Sequence, residues 1–329
     1  MPRILDKTVG PIGFGLMGLS WRPEPAPLSQ TLETLKAAIE SGATCWNGAE
    51  FYGTPEYNSM TLLKHYFTRY PEDASKITLI IKGGVNVKTL SPEGSPEAIR
   101  RSADNILEQL GGVVKVDMFC IARRDARSDF SQTLSILQRE YVDTGKFGGI
   151  SLSECSAATV HEAVKHANIT GAEVELSMFS PDILRNGVAA ACAEHDIPVI
   201  AYSPIGRGLL TGRIKSKSDV AHLGHIGNLP RFQDENIAHN LRLVEKVEAI
   251  AAKKSCTPAQ LAIAWVRSVS RRPDMPTVVP IPGATTASRV KENSTVIELS
   301  DADVEEIDSI LDGFETAGRR YPAGAPIET

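Results

Sequence analysis

Short apolar runs alternate with amphipathic segments along nearly the whole chain of 329 residues. Apolar runs this short, bounded by Gly, Pro or charged residues, are typical of strands that are buried on both faces of a parallel sheet. The pattern predicts strands at Pro11–Gly15, Thr44–Trp46, Ile77–Lys82, Val116–Ile121, Gly149–Leu152, Glu173–Leu176, Val199–Tyr202 and Thr277–Pro280.

The segments between these strands carry apolar residues at helical spacing. In the first segment Leu32, Leu35 and Ala38 recur on one helical face, and Gly42 follows as a residue suited to end a helix. The same periodicity predicts helices at Leu28–Ser41, Tyr57–Phe67, Pro96–Leu110, Ser131–Thr144, Ala157–Ala167, Ile183–His195, Asn236–Lys254 and Pro258–Ser268.

About eight strand–helix units in one chain are the number that closes a (β/α)8 barrel of the TIM type. An open, doubly wound sheet alternates in the same way but rarely needs so many units. Because no Pro-, Gly- or Ser-rich linker interrupts the pattern, we predict a single α/β barrel domain over residues 1–329. We expect the irregular stretch Ser203–Asp234 and the tail from about residue 313 to 329 to lie as loops over the active face.

Composition and charge narrow the class of protein. A chain with 42% hydrophobic and 23% charged residues is typical of a globular protein. The net charge of −5 and the lack of a basic stripe argue against a nucleic-acid partner. No apolar run reaches the length of a membrane span, and the first residues lack the apolar region of a secretory signal. We therefore expect a cytoplasmic protein, whose oligomeric state the sequence does not indicate.

Neither the cysteines nor the histidines indicate a metal site. The five cysteines are scattered and form no CxxC pair, which argues against both zinc and a disulfide framework. His161 and His166, like His222 and His225, do not combine with carboxylates at ligand spacing. We expect no bound metal.

Two polar residues at predicted strand ends suggest chemistry, because the active sites of such barrels lie at the carboxyl ends of the strands. Lys82 ends the run TLIIK, and Tyr52 follows the second strand. Each residue alone is more typical of packing at a strand end. As a pair they fit general acid catalysis, since an ammonium lowers the pKa of a neighbouring phenol from about 10 and prepares it to protonate a forming alkoxide.

Six motifs in register carry a resemblance to the aldo-keto reductase superfamily, and the resemblance covers nearly the whole chain. These motifs are WNGAEFYG, LIIKGG, VDMFCIARRD, GKFGGISLSE, VIAYSPIGRGLL and VVPIPGATTASRVKEN. The resemblance implies a TIM-type barrel that binds NADPH or NADP⁺ without a Rossmann domain. It also implies that the chain reduces a small-molecule aldehyde or other carbonyl by hydride transfer.

The resemblance also assigns residues. It implies that Tyr52 is the proton donor and Lys82 its partner, with Asn47 at the third catalytic position. Its implied cofactor contacts are Ser153 and Glu173 at the carboxamide, Tyr202 stacked on the nicotinamide, Ser203, Pro204, Gly206 and Leu209 at the pyrophosphate, and Thr285, Arg289, Glu292 and Asn293 around the adenosine 2′-phosphate and the adenine. Trp21, Ala122 and Arg123 are candidates for the substrate pocket.

The chain departs from the family's pattern at several of these positions. Asn47 replaces an Asp that usually pairs with the lysine, and Ala122 replaces a His. Glu154 and Glu173 replace an Asn and a Gln. Without the usual Asp, we expect the field of the lysine to be less neutralised at Tyr52, which favours the tyrosinate form.

The same departures bear on the substrate. The versions WNGAEFYG and ARRD resemble the fungal pyridoxal reductases of the superfamily, in which Asn and Ala stand at these two positions. A pocket enlarged at Ala122 would admit pyridoxal, whose phenolate oxygen Arg123 or Arg124 could meet. Two alternatives stay open: a reductase of other aromatic or sugar aldehydes, and a catalytically weak, nicotinamide-binding regulatory subunit.

Overall fold

The computed structural model describes residues 1–329 apart from the side chains of His222 and His225, so that histidine pair lies outside the described residues. The strands in chain order are β1 (Arg3–Ile4), β2 (Lys7–Thr8), β3 (Phe14–Gly15), β4 (Cys45–Ala49), β5 (Thr78–Gly83), β6 (Val116–Ile121), β7 (Phe147–Ser153), β8 (Ile169–Glu175), β9 (Val199–Tyr202) and β10 (Val278–Pro280). Strands β1 and β2 form an antiparallel hairpin. Across the described chain, β3 to β10 form an eight-stranded parallel sheet in which each strand pairs with its neighbours in sequence.

The first and last strands of the sheet meet and close it into a barrel. A parallel bridge joins Gly15 to Gly283, and the Gly13 amide donates to the Pro280 carbonyl at 2.8 Å. Glycine at position 13 permits close packing on both sides, since a Cβ there would lie 2.4 Å from the Cys45 carbonyl oxygen of β4 and 2.9 Å from the Ile281 side chain after β10. The predicted (β/α)8 barrel is confirmed.

Helices cover the outside of the barrel. They are α1 (Met17–Ser20), α2 (Leu28–Glu40), α3 (Ser59–Arg69), α4 (Pro96–Leu110), α5 (Phe130–Ile136), α6 (Ala157–Ala163), α7 (Val188–Glu194), α8 (Asp234–Lys253), α9 (Pro258–Ser268), α10 (Ala287–Ser294) and α11 (Asp301–Asp312). The bounds of α4 agree with the prediction because the sequence marks both ends: Ser95 caps the first turn, and Gly111 follows the last with φ 61°.

Several elements differ from their predictions. The predicted helix over Ile183–His195 is divided, because Gly187 adopts φ 89° between a short 3₁₀ turn and α7. The helix predicted to continue to Thr144 changes after α5 into a π-helical segment, Leu137–Val142. The hairpin β1–β2 was not predicted, because strands of two residues are too short to show a period.

Alternation along the strands separates an inner core from an outer one. Ile80 and Met118 pack inside the barrel with Ile4 of the hairpin. Ile81, the next residue of β5, packs outward with the helices. Because successive side chains of a strand point to opposite faces, Lys82 returns to the inside. At the carboxyl end of β5 the apolar interior of the barrel therefore gives way to the charged side chain of Lys82.

Candidate active site

Tyr52 and Lys82 meet at the carboxyl ends of β4 and β5. The register pairs Ala49 with Lys82, which places the turn after β4 directly beside the lysine. The Lys82 ammonium lies 5.1 Å from the centre of the Tyr52 ring, and only 4% of Lys82 is exposed. Residues that are thirty positions apart in the chain are therefore neighbours because adjacent parallel strands end at one level.

Lys82 has a carboxylate partner, which the sequence analysis did not foresee. Its ammonium forms an ion pair with Glu173 of β8 and donates to Oδ1 of Asn47 at 2.6 Å. Asn47 in turn donates through Nδ2 to Glu173 Oε2 at 2.6 Å. The three side chains form a closed, buried network, here called the lysine cluster. The expectation of an ammonium without a neighbouring carboxylate was wrong, because the charge missing at position 47 comes from another strand.

The lysine cluster changes the expected protonation state of Tyr52. Burial raises the pKa of the Tyr52 phenol, the Lys82 ammonium lowers it, and the Glu173 carboxylate raises it again. Its pKa therefore lies above the ordinary value, and the expected preference for tyrosinate is corrected. Burial lowers the pKa of Lys82, but Glu173, Tyr52 and Cys120 together raise it above its ordinary value. A protonated phenol beside an ammonium is the arrangement that general acid catalysis requires.

Aromatic residues wall the mouth beside Tyr52. The Trp21 ring stacks on the Tyr52 ring, with centres 5.1 Å apart and an angle of 23° between the planes. Phe51 packs edge-on against both of them. The candidate pocket residue Trp21 thus lies in contact with the candidate proton donor. An apolar wall of this kind suits a planar aromatic substrate.

The two adjacent arginines after β6 point in different directions. Arg123 turns inward and donates to the Ser153 hydroxyl at 3.1 Å, so both of these predicted site residues lie at the mouth. Arg124 turns outward and forms an ion pair with Glu162 of α6 at 2.9 Å. Of the two candidates for contacting a substrate oxygen, the structure therefore brings only Arg123 to the site.

The C-terminal tail reaches the same mouth and contributes residues that were not named from the sequence. The Tyr321 hydroxyl lies 2.8 Å from the Tyr202 hydroxyl at the end of β9. The guanidinium of Arg207 lies 4.8 Å from the Tyr321 ring centre, and that of Arg123 lies 5.9 Å away. An aromatic residue in a tail with several charged and proline residues gave no periodic signal that could have identified it.

Glu154 fastens this tail. Its carboxylate accepts from Arg320 at 3.0 Å and from the hydroxyl of Thr329, and its other oxygen accepts from the Glu175 amide at 2.9 Å. Burial raises the pKa of Glu154, but Arg320, Thr329, Arg123 and the Glu175 amide together lower it overall. Glu154 with Arg320 and Thr329 is called the tail anchor below. This glutamate, which stands where the family has an amide, is engaged by the tail.

A group of guanidiniums lies behind Tyr321. Arg207 donates to Glu175 at 3.2 Å, and both Arg231 and Arg320 lie within 4.0 Å of the same carboxylate, at 3.7 and 3.8 Å. Together with Glu154, two carboxylates face three guanidiniums in a partly buried setting. The group therefore keeps positive charge that could meet an anionic ligand.

The remaining predicted cofactor residues lie along the β9 and β10 ends of the barrel. Ser203, Arg207 and the glycines 206 and 208 have positive φ, which winds the chain tightly after β9. Leu209 is buried, so its side chain packs in the core. Arg289 is exposed in the first turn of α10, and Thr286 caps that turn. The backbone of Thr285 accepts from Gln30, and the Asn293 side chain donates to the Gly283 carbonyl, while Glu292 faces Arg213.

One histidine cluster lies away from the mouth. His161 Nδ1 is 2.9 Å from Nε2 of His195, and a carboxylate oxygen of Glu194 lies within 4.8 Å of these nitrogens. The sequence could not show this proximity, since His161 and the other two residues come from different helices. The ring nitrogens of the two histidines lie at hydrogen-bonding distance from each other. The expectation that the chain binds no metal stays a prediction.

The chain belongs to the Aldo/keto reductase family, which it matches over residues 11–312. It is 36% identical over 328 residues to a probable pyridoxal reductase 2 of Schizosaccharomyces pombe, covering 98% of this chain and 97% of that one. It is 34% identical to an aldo-keto reductase [NADP(+)] of the same yeast, covering 98% and 94% of the two chains. A glycerol dehydrogenase from Gluconobacter oxydans has the same fold, with a TM-score of 0.80, 21% identity and 95% of each chain covered. No helix in the described part of the chain has the length and hydropathy to span a membrane.

Proposed function

We propose that this chain is an NADPH-dependent carbonyl reductase that reduces pyridoxal to pyridoxine. The observation that carries the proposal is the contact between Tyr52 and Lys82 at the carboxyl ends of two barrel strands. The aldo-keto reductase family membership supports the reaction class, and the pyridoxal reductases among the relatives support the substrate. The Trp21 wall and the inward-facing Arg123 suit a flat aldehyde that carries a phenolate oxygen.

The side chains present fit a phosphate-rich dinucleotide. The arginine group behind Tyr321 retains positive charge beside the loop that begins at Ser203. Arg289 is exposed at the start of α10, where amide groups and the helix dipole favour an anion. Arg207 and Arg289 would hold phosphates, and Ser153 would bond the carboxamide. When bound, NADPH supplies the hydride that is added to the carbonyl carbon.

The chain's own residues perform the proton transfer. The Tyr52 phenol donates its proton to the carbonyl oxygen as negative charge develops there. The Lys82 ammonium stabilises the phenolate that remains, and a proton from solvent then restores the phenol. Both groups are in place before the reaction, so little reorganisation is needed. The alternative of a regulatory subunit rests on Asn47 and Ala122, which stand where the family has an Asp and a His. The Glu173 carboxylate beside Lys82 supplies the charge of the missing Asp and so weakens the first of these two reasons.

The direct experiment is to mix the purified chain with NADPH and pyridoxal, follow the loss of the near-ultraviolet absorbance of NADPH, and identify pyridoxine by chromatography. Tyr52→Phe should lower kcat by about 10²-fold or more while the affinity for NADPH stays nearly unchanged. Tyr70→Phe, at the half-buried position that ends α3, is the matched control and should keep full activity. Tight NADPH binding without turnover on any aldehyde would favour the regulatory subunit instead.

The choice of cofactor has its own test. Arg289→Ala should weaken NADPH binding by about tenfold or more and leave NADH binding nearly unchanged, because only NADPH carries the 2′-phosphate. Lys291→Ala is the control, since it removes a positive charge from the other side of the same helix. Equal losses for both cofactors in Arg289→Ala would contradict the assignment.

A further inference from the structure

The carboxylate of the lysine cluster stands on β8, while the residue facing it on β4 is an amide. Glu173 is 2% exposed, and both of its oxygens are engaged: Oε1 by Lys82, and Oε2 by Asn47, with the Cys120 thiol 3.8 Å away. All of these partners lie within the barrel strands. The carboxylate is therefore directed at the lysine and its neighbours. These contacts indicate a role for Glu173 other than binding a cofactor.

We propose that Glu173 is a positioning residue that balances the charge of Lys82 and keeps the Tyr52 phenol protonated for catalysis. Glu173 on β8 would thus compensate the charge of the lysine, as the family's Asp does from position 47 on β4. Compared with the family pattern, the carboxylate lies on β8 instead of β4, and the amide lies on β4 instead of β8. The inference rests on the proposed function and replaces the carboxamide role that resemblance implied for Glu173.

Physical chemistry explains why the two positions must change together. Asn47 Nδ2 lies 2.6 Å from Glu173 Oε2, so an aspartate at position 47 would place two carboxylates at hydrogen-bonding distance. Two carboxylates that close cannot both stay ionised. One ammonium likewise needs one compensating charge in a buried site. The cluster therefore accommodates a single carboxylate, either at position 47 or at position 173, with an amide at the other.

The test compares Glu173→Gln, Asn47→Asp and the double variant with the wild-type chain. The pH dependence of kcat for aldehyde reduction and the NADPH affinity are measured for all four. In Glu173→Gln the loss of negative charge lowers the pKa of the phenol, so the alkaline limb of the rate moves to lower pH. We expect kcat at alkaline pH to fall by about tenfold for each unit by which this limb moves, with kcat at neutral pH changed much less and NADPH affinity within about threefold of wild type.

The double variant is the decisive one. Because it restores one carboxylate and one amide, we expect it to recover most of the lost kcat and to return the alkaline limb toward its original position. Asn47→Asp alone should be less active than the double variant, since it crowds two carboxylates together. If the two losses instead simply add, or if Glu173→Gln weakens NADPH binding without moving the pH profile, the proposal is overturned.

A second readout separates this inference from the proposed function. The near-ultraviolet absorbance of tyrosinate, followed during alkaline titration without cofactor or substrate, reports the ionisation of Tyr52 after the spectrum of the matching Tyr52→Phe variant is subtracted. Glu173→Gln should ionise this tyrosine at lower pH than wild type does, and the double variant should reverse the change. If the chain reduces no aldehyde, the proposed function fails while this titration still decides the role of Glu173; an unchanged titration overturns that role.

Discussion

Two buried glutamates stand where the family has amides, and they do different things. Glu173 binds Lys82 and Asn47, all three of which lie on barrel strands. Glu154 also follows a barrel strand, but its cation and hydroxyl partners, Arg320 and Thr329, come from the last residues of the chain. Replacing an amide by a glutamate thus serves the chemistry of the mouth at position 173 and the docking of the tail at position 154.

The difference lies in what holds the partners in place. The strands of the lysine cluster are aligned by the barrel's own hydrogen bonds, so its geometry is as stable as the barrel. The tail anchor depends on a segment without helix or strand, so it can open while the barrel stays folded. We therefore expect changes in the lysine cluster to act on catalysis and on the whole fold, and changes in the anchor to act mainly on the tail.

The largest effect is expected from Lys82→Met. It removes the cation that stabilises the phenolate, so kcat should fall by about 10²-fold or more. It also leaves the buried Glu173 carboxylate without its counter-charge, which should cost about 3–5 kcal/mol in the free energy of unfolding. Adding Glu173→Gln should restore much of the stability but not the activity. Turnover and urea unfolding measure the two effects, and unchanged stability in Lys82→Met would contradict the description of the cluster.

A smaller effect is expected from Arg320→Ala. It breaks the ion pair with Glu154 and should lower the free energy of unfolding by about 2 kcal/mol. Limited proteolysis should then cleave the tail near its end, while kcat changes much less than in Lys82→Met. The neighbouring Arg319→Ala removes an exposed guanidinium and should leave the tail protected. A tail equally resistant in both variants would remove the distinction between the two regions.

Acid should release the tail as well. Arg320 and Thr329 hold the pKa of Glu154 below its usual value against the opposing effect of burial. A carboxylate with a lowered pKa in the folded state adds stability above its unfolded pKa of about 4.3, and this stability is lost as the pH falls through the folded pKa. The tail amides should therefore lose protection against hydrogen exchange, relative to their intrinsic exchange rate at each pH, below about pH 4. Glu154→Gln should show no such acid step.

The smallest effect is expected from Tyr321→Phe, which removes one hydroxyl pair with Tyr202. The loss should be about 1 kcal/mol in the free energy of unfolding. Tyr202→Phe should cost a similar amount, and the double variant should cost less than the sum of the two, because each single change already breaks the bond. Strict additivity would show that the two hydroxyls do not interact.

The fold could be predicted from the sequence because the barrel is made of local patterns repeated in order. Strands β6 and β9 and helices α4 and α9 have the predicted bounds, since periodicity and capping residues mark them within a few positions. The division before α7 could not be predicted, because the left-handed backbone at Gly187 is one of several conformations that a glycine can adopt.

The sequence indicated individual residues of the candidate site, but it did not indicate most of their contacts. Tyr52 and Lys82 were placed together because adjacent parallel strands bring their ends to one level. The Lys82 partner was missed, because β8 lies across the barrel from β5 and no spacing in the sequence reports which side chains meet in its interior. For the same reason Arg124 remained an alternative to Arg123, although neighbouring residues commonly point to opposite sides.

By itself the sequence determined that this chain forms a (β/α)8 barrel and that a tyrosine and a lysine lie at its mouth, since hydrophobic period and strand order are local properties. The tertiary structure alone decided which carboxylate compensates the lysine, where the tail docks and which charges act on the pKa of Tyr52. Those outcomes depend on burial and on electrostatic contacts between residues far apart in the chain, and such contacts exist only once the barrel has closed.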